Sequence, residues 1–368
     1  MKWQPAFVYK SRQVIVITIC WVIAGIVLEL NNAVNYDPVT RTHFLHWIFG
    51  KNAFEHLVIT SIGPLAGGLI AGSFIVFYQR EKVKGKTYLQ KLFIHSLLYI
   101  FFVTLFIVIV GLIGAFMGPT NISFTQKIKS DLFSLRVLRL LLNWYFIVIL
   151  TIFILDVSEK YGTGILKNLL LGKYFEPVKE NRIFMFLDLT SSTTIAEQIG
   201  DDKYFKMIRF FYNVANQAIL KYHGEIYQYV GDEIVVSWPK NEGLQNANCL
   251  RCFTAIMEKV EEHADVFKKE YGVVPQFKAG IHSGDVITGE IGITKKDIVY
   301  SGDVLNATAR IVSLCNQYKQ KLVVSEAIYN ELKNTEGYRF DYLNSPVLRG
   351  KFVKLALYSV NLSEKVKG

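Results

Sequence analysis

The sequence predicts a two-part chain: an α-helical membrane domain of four transmembrane helices, followed by an α+β domain of the ferredoxin-like kind. Three observations carry this. Four apolar runs, each close to the roughly 20 residues a helix needs to cross a bilayer, fall before residue 156. From residue 182 onward the apolar periodicity switches between strand and helix in the order β-α-β-β-α-β, the split arrangement of that fold. The charge balance breaks at the same place: residues 1–180 hold 18 Lys+Arg against 9 Asp+Glu, and residues 181–368 hold 23 against 22. The expected boundaries are 1–155 for the membrane domain, 156–181 for a helical linker, 182–360 for the α+β domain and 361–368 for a tail.

The apolar runs cover residues 14–30, 57–78, 92–116 and 138–155. The first is long for the apolar core of a signal peptide and no small-x-small cleavage site follows it, so it reads as a retained helix. Lys2, Lys10 and Arg12 precede it, and Arg80, Lys82, Lys84 and Lys86 crowd the link between the second and third runs. Cationic flanks stay on the cytoplasmic side. The N-terminus and everything from Asp156 onward are therefore expected inside a multi-pass cell or inner membrane, with lipid as a partner. The net charge of +10 belongs to this half. It is not a nucleic-acid footprint, because the second half is nearly neutral, and no nucleic-acid partner is expected.

Gly63-x-x-x-Gly67 and Gly68-x-x-x-Gly72 have the spacing that lets membrane helices approach closely. His43, His46 and His56 lie in or beside the first outer loop, and His95, within the third run, lacks the matched partner at facing depth that a haem or metal pair would require. In the linker, Leu166, Leu169, Leu170 and Tyr174 make a short helical stripe that Pro177 closes, either to pair with a second chain or to serve as a tether. One helix would suffice for an anchor. Four suggest that the membrane domain senses a ligand, lipid or protein.

In the second half, residues 182–188 read as a buried strand ending on Asp188, and LTSSTT then opens a helix. Residues 201–222 have the helical period and Gly224 stops it. The stretch 227–238, YQYVGDEIVVSW, is a hairpin whose Gly231-Asp232 pair suits a tight turn. A second helix is expected over 244–271, then a strand over 276–281, a tight turn within HSGDVITGEIG and a further strand. The rest reads as a helix opened by SGDVLNATARIVSLC, a strand over 321–325, a short helix over 326–332 and two late strands. Cys249-x-x-Cys252 has no second pair or nearby His to complete a zinc site, so both read as core residues of a reducing, cytosolic domain.

In a split βαβ sheet the first strand and the central hairpin are neighbours, which would set Asp188 beside Asp232. Adjacent carboxylates repel, and a like-charged pair at strand ends suggests divalent cations with oxygen ligands, Mg²⁺ or Mn²⁺. Free N–H groups where a helix starts favour phosphate.

Through FLDLTSST, YVGDEIVVSW, AGIHSGDVITGEIG and SGDVLNATARI, in order and well spaced, residues 182–358 resemble the catalytic domain of class III nucleotidyl cyclases, the adenylate/guanylate cyclase family. That resemblance implies two metal ions held by Asp188 and Asp232, with the Leu189 carbonyl assisting. It implies that Asn306 orients the ribose and that Arg310, four residues on, stabilises charge at the α-phosphate. The backbone of Thr190, Ser191, Ser192 and Thr193 would cradle the triphosphate, helped by Arg349 or Lys351. The substrate would be a nucleoside triphosphate, ATP favoured, and the site would be shared head-to-tail in a homodimer.

Two positions depart from the family pattern. Gln228 stands where adenylate cyclases carry Lys, and Val299 stands where Asp, Thr or Ser completes adenine recognition; the guanylate pair, Glu and Cys, matches neither. Tyr300, Ser301 or Lys296 are the substitutes at hand, and GTP or a pyrimidine triphosphate stays open. A diguanylate cyclase would share the hairpin but not GDVLNATAR. A non-catalytic, nucleotide-binding signal relay would be expected to have lost a metal or transition-state residue, and none is lost.

Overall fold

Contacts divide the chain into two units, Met1–Lys160 and Tyr161–Gly368. The computed structural model describes residues 5–35, 53–79, 87–117, 135–161, 172–294, 296–346 and 354–363. Arg349, Lys351, His43, His46 and residues 162–171 of the expected linker lie outside the described residues.

The first unit contains α1 (Pro5–Asn35), α2 (Ala53–Ser73) running on as a π-helix over Phe74–Gln79, α3 (Tyr88–Met117) and α4 (Leu135–Tyr161). Among the described residues, two stretches are long and apolar enough to cross a membrane, Lys10–Leu28 and Ser61–Tyr78. Leu89–Leu105 and Leu141–Val157 are apolar but shorter, so two of the four expected spans meet the length requirement.

Glycine spacing acts where α1 meets α2. A Cβ on Gly68 would lie 2.7 Å from the Thr18 Cα, and one on Gly72 would touch Ile17. Only a residue without a side chain allows that approach. The buried Trp21 donates its indole N–H to Thr151 Oγ1 at 3.0 Å, tying α1 to α4 with its one polar atom satisfied. His95 is buried, and its Nδ1 is bonded to the Lys91 carbonyl one turn back on its own helix.

In the second unit, β1 (Val178–Leu189) is buried from Arg182 to Leu187 without a break, as a strand covered on both faces must be. Ile183, Met185, Leu187 and Leu189 enter the main core, whereas Phe184 and Phe186 point the other way into a smaller cluster. The main core is closed by α5 (Ser192–Ile199), α6 (Asp201–Lys221), α8 (Asn248–Glu262) and α9 (Ala264–Tyr271), with a one-turn α7 (Lys240–Leu244) before α8.

The hairpin strands are β2 (Glu225–Val230) and β3 (Glu233–Pro239), and β4 (Phe277–Ile291) follows the helices. Then come β5 (Asp297–Ser301), α10 (Asp303–Tyr318), β6 (Leu322–Ser325), α11 (Glu326–Leu332), β7 (Tyr338–Asn344) and β8 (Leu357–Leu362). The sheet order is β2-β3-β1-β4-β6-β8-β7, with β5 paired to β4. Its β2-β3-β1-β4 part is the split βαβ arrangement that the sequence predicts.

Two elements differ from expectation. The turn expected within HSGDVITGEIG is absent: β4 runs straight through as one strand of 15 residues. Gly284 admits a neighbour instead of bending the chain, since a Cβ there would press on Val304, and Gly289 lies in ordinary contact with Pro177. The single helix expected over 244–271 is broken at Asn246 and Ala247, both at positive φ, and again at His263 (φ −104, ψ 11). Within α8, Cys249 and Cys252 are fully buried, and burial pushes the Cys249 thiol up to about 12.

The tightest contact in this unit joins α10 to β4. A Cβ on Gly280 would lie 2.6 Å from the Val312 backbone nitrogen, which cannot move aside without shifting the whole helix. Gly280→Ala is expected to cost about 1–3 kcal/mol by overpacking. A thermal melt of the purified variant checks this, and an unchanged midpoint would sink the idea.

Candidate active site

The strand register assembles the acidic site. Asp188 lies opposite Glu233 on β3 and opposite Lys278 on β4. Asp232 sits in the two-residue turn between β2 and β3, after Gly231 at φ 61. Glycine first in such a turn supplies the left-handed conformation that matches strand twist. From α6, Tyr212 donates its hydroxyl to the Gly231 carbonyl at 2.7 Å and stacks on Tyr229, which pins the turn.

Three carboxylates, Asp188, Asp232 and Glu233, therefore gather at one end of the sheet beside the Lys278 ammonium. Lys278 Nζ, almost buried, reaches Asp188 Oδ2 at 2.9 Å. Burial, then the charges of Asp188 and Asp232, push the Glu233 carboxyl up to about 7, and Lys278 only partly opposes them. Burial and the same two aspartates also raise the Tyr204 phenol.

Two or three carboxylates with surplus negative charge suit a hard divalent cation. Such ions take one or two protein carboxylates and leave the remaining positions to water and phosphate. Among the described residues, no three His, Cys, Asp or Glu side chains converge on one point. A full coordination shell would accordingly draw on a phosphate ligand.

The segment after β1 only partly meets its expected role. The Thr190 N–H is already donated to the Gln276 carbonyl at 2.8 Å, so it is not free for phosphate. Ser191 takes a left-handed backbone (φ 58, ψ 33), a conformation that costs a non-glycine residue about 1 kcal/mol or more. Ser192 and Thr193 open α5, where the first N–H groups have no intrahelical acceptor. Leu189 is buried, with its side chain in the main core.

Asn306 and Arg310 lie one turn apart on α10, on the side away from Val304, Thr308 and Ile311, which are buried. No hydrogen bond or ion pair joins either of them to Asp188 or Asp232 among the described residues. Val304 packs at Gly284, six residues along β4 from Lys278, the partner of Asp188. That is about 20 Å of strand at ~3.3 Å per residue. The helix runs back toward that end, since Ile311 and Val312 pack on Gly280, two residues along β4 from Lys278, so Arg310 lies near the level of Asp188. What keeps the Asn/Arg pair from the acids is direction: both residues face away from the sheet on which α10 packs.

Gln228 is exposed on β2, just past a bulge, and Val299 is half-buried on β5 opposite Gly289. Two of the three substitutes proposed for Val299 are already engaged. Tyr300 packs edge-on to Phe184, lies 4.8 Å from the Tyr227 ring and carries the Arg182 guanidinium 4.9 Å above it. Lys296 pairs with Glu290. Arg182 itself is buried, bonded to Glu225, to Glu180 at 3.3 Å and to Ser237 at 3.1 Å.

Glu233, Lys278, Tyr204 and Tyr212 were not visible as site residues in the sequence. The signal that could have found the first two is the antiparallel register extended outward from Asp188.

A fold of this order, with acids at the β1 and hairpin ends and Asn/Arg on a later helix, defines a nucleotidyl cyclase-type domain. The family model described as the adenylate and guanylate cyclase catalytic domain matches residues 176–362, just over half of the chain, and the chain belongs to that family. It is 35% identical over 209 residues to Adenylate cyclase 2 of Rhizobium meliloti (strain 1021), covering 57% of this chain and 58% of that protein. It is 25% identical over 183 residues to an adenylate cyclase of Anabaena cylindrica, covering 48% of this chain and 36% of that protein. Among solved structures, the adenylyl cyclase CyaB from P. aeruginosa aligns over 52% of this chain and 100% of its own, with a TM-score of 0.44 and 18% identity. The chain thus spans little more than half the length of the first of these relatives.

Proposed function

We propose that the chain is a membrane-bound nucleotidyl cyclase that converts ATP to 3′,5′-cyclic AMP and pyrophosphate at sites shared between two copies. The observation that carries this reading is the register that sets Asp188 against Glu233 beside the Asp232 turn, a concentration of negative charge with one lysine to offset it. In the reaction the ribose 3′-hydroxyl attacks the α-phosphate, its proton is lost, and the bond to the bridging oxygen of the β-phosphate breaks.

Asp188 and Asp232, with the Leu189 carbonyl, hold two Mg²⁺ or Mn²⁺ ions. When bound, these would supply positive charge to offset the negative charge of the reacting phosphates. Asn306 orients the ribose, and the Arg310 guanidinium offsets charge that grows on the α-phosphate oxygens. Ser191, Ser192 and Thr193 face the triphosphate through backbone N–H groups, and Arg349 or Lys351 supplies a cation to it. Gln228 can both donate and accept at the base, and Val299 gives the base a wall without a polar contact. The first two relatives above are adenylate cyclases by name, which supports ATP.

The remaining organisation follows the sequence. Four helices cross the membrane, both the N-terminus and residues 182–360 are cytoplasmic, and the membrane domain biases the dimer through residues 156–181. Purified protein with Mn²⁺ and each of the four nucleoside triphosphates, with products identified by mass, tests the activity. Cyclic AMP in excess over the other products is the expected result. Cyclic GMP or a cyclic pyrimidine nucleotide in excess would reassign the substrate, and no cyclic product from any of the four would leave the non-catalytic relay.

A further inference from the structure

The connection between α10 and β6 borders a cavity that the cyclase chemistry does not use. Its volume is about 310 Å³, at the lower end of the roughly 300–1,000 Å³ of small-molecule pockets. Phe253 and Met257 of α8, Leu322 of β6 and Val360 of β8 make its apolar walls. Lys319 and Lys321 stand at the rim, both exposed. Thr254 Oγ1 and the Tyr338 hydroxyl, 3.2 Å apart, add a neutral polar pair.

The cavity is separate from the acidic site. Leu322 and Phe253 belong to the main core, on the face of the sheet that holds Leu187, whereas Asp188 alternates to the other face. Two of its walls nevertheless lead to the proposed catalytic groups. Lys319 is the left-handed cap (φ 52) of α10, the helix that carries Asn306 and Arg310. Lys321 Nζ donates to the Gln276 side chain at 3.5 Å, and the Gln276 carbonyl holds the Thr190 N–H at the end of β1.

We infer that this cavity is a regulatory site for a small organic anion, an aromatic or apolar body with a carboxylate or phosphate head. The body replaces water against Phe253, Met257, Leu322 and Val360, and the head pairs with Lys319 and Lys321. Neither part alone suffices. The lysines are too exposed to hold a bare anion at physiological salt, and the apolar floor is too small to hold a neutral body tightly. An occupant presses on the cap of α10 and on the Gln276–Thr190 contact together, which gives it a differential effect on two parts of the proposed site. The site itself stands without the cyclase reading; its regulatory effect rests on that reading.

The test uses the full chain in lipid nanodiscs with phenylacetate and phenyl phosphate as probes. Phenylethanol supplies the body without charge, and inorganic phosphate supplies the charge without a body. Binding is read by saturation-transfer NMR and rate by cyclic product in the presence of Mn²⁺. Saturable binding of both probes at millimolar or tighter Kd is expected, weakened about tenfold or more in the Lys319→Gln/Lys321→Gln double variant. The rate should shift with probe in the unsubstituted protein and not in that variant. Met257→Trp, which fills the cavity, should abolish binding, and the surface lysine variant keeps the test decisive should the tryptophan variant not fold.

Absence of saturable binding overturns the site. Equal binding of phenylethanol, or of phosphate alone, overturns the ligand class. Binding that leaves the rate of an active enzyme unchanged overturns the regulatory role. Because binding is measured without turnover, an inactive preparation that still binds the probes counts against the cyclase reading and not against the site.

Discussion

Asp232→Ala is expected to lower Mn²⁺-dependent cyclic-nucleotide production by about a thousandfold or more, the scale seen when a group that stabilises transition-state charge is removed. The protein should remain folded with an unchanged or slightly higher melting temperature. Asp232 occupies a turn whose conformation is supplied by Gly231, and Tyr212 holds that turn through a backbone carbonyl, not through the aspartate. Removing its charge also relieves Glu233, whose carboxyl is pushed up to about 7 in part by that neighbour. Asp188→Ala is a poorer test. It would strand the nearly buried Lys278 ammonium without its partner at 2.9 Å, so lost activity and lost stability would arrive together. The check on Asp232 is product quantified by mass beside a thermal melt. More than a tenth of the activity retained would remove this aspartate from the catalytic role.

The central part of this domain was legible in the sequence because its signals are local. A buried strand ending on Asp188, a Gly-Asp turn between apolar runs and an Asn-x-x-x-Arg spacing each need only a few residues to be read. The juxtaposition of Asp188 with the Asp232 turn followed from the β-α-β-β-α-β order. What escaped depends on partners distant in the chain. Lys278 has no distinguishing neighbours in FKAG, and it becomes a site residue only because β4 pairs with β1 from Leu189 to Val178. Gly284 and Gly289 imitated turn signals, and only the packing of Val304 over Gly284 shows that close approach is what that glycine serves. The Thr190 N–H looked free for phosphate until Gln276, a residue 86 positions away, took it. In the first unit the glycine spacing on α2 could be read, but which helix it faces could not.

The outward direction of Asn306 and Arg310 on α10 leads to the second large effect. Asp232→Ala and Arg310→Ala should each be inactive alone, yet regain activity when co-expressed. If each site takes its aspartates from one copy and its Asn and Arg from the other, a mixed dimer contains one site with both lesions and one with neither. Random pairing makes half of the dimers mixed, with one of two sites intact, so about a quarter of the unsubstituted activity is expected. The outward direction of Asn306 and Arg310 on α10, with no bond to Asp188 or Asp232 among the described residues, is what makes a single-chain site the weaker alternative. Both Arg310 and Asp232 lie outside the main core, so neither substitution should prevent assembly. The measurement is cyclic product from membranes holding both variants at equal amounts, set against each alone. Activity no greater than the sum of the two single variants would place all four groups in one chain and require α10 to swing toward the acids on substrate binding. Recovery near a quarter fits the shared site, in which case anything that changes how two copies meet, including the helices before residue 161, changes the rate.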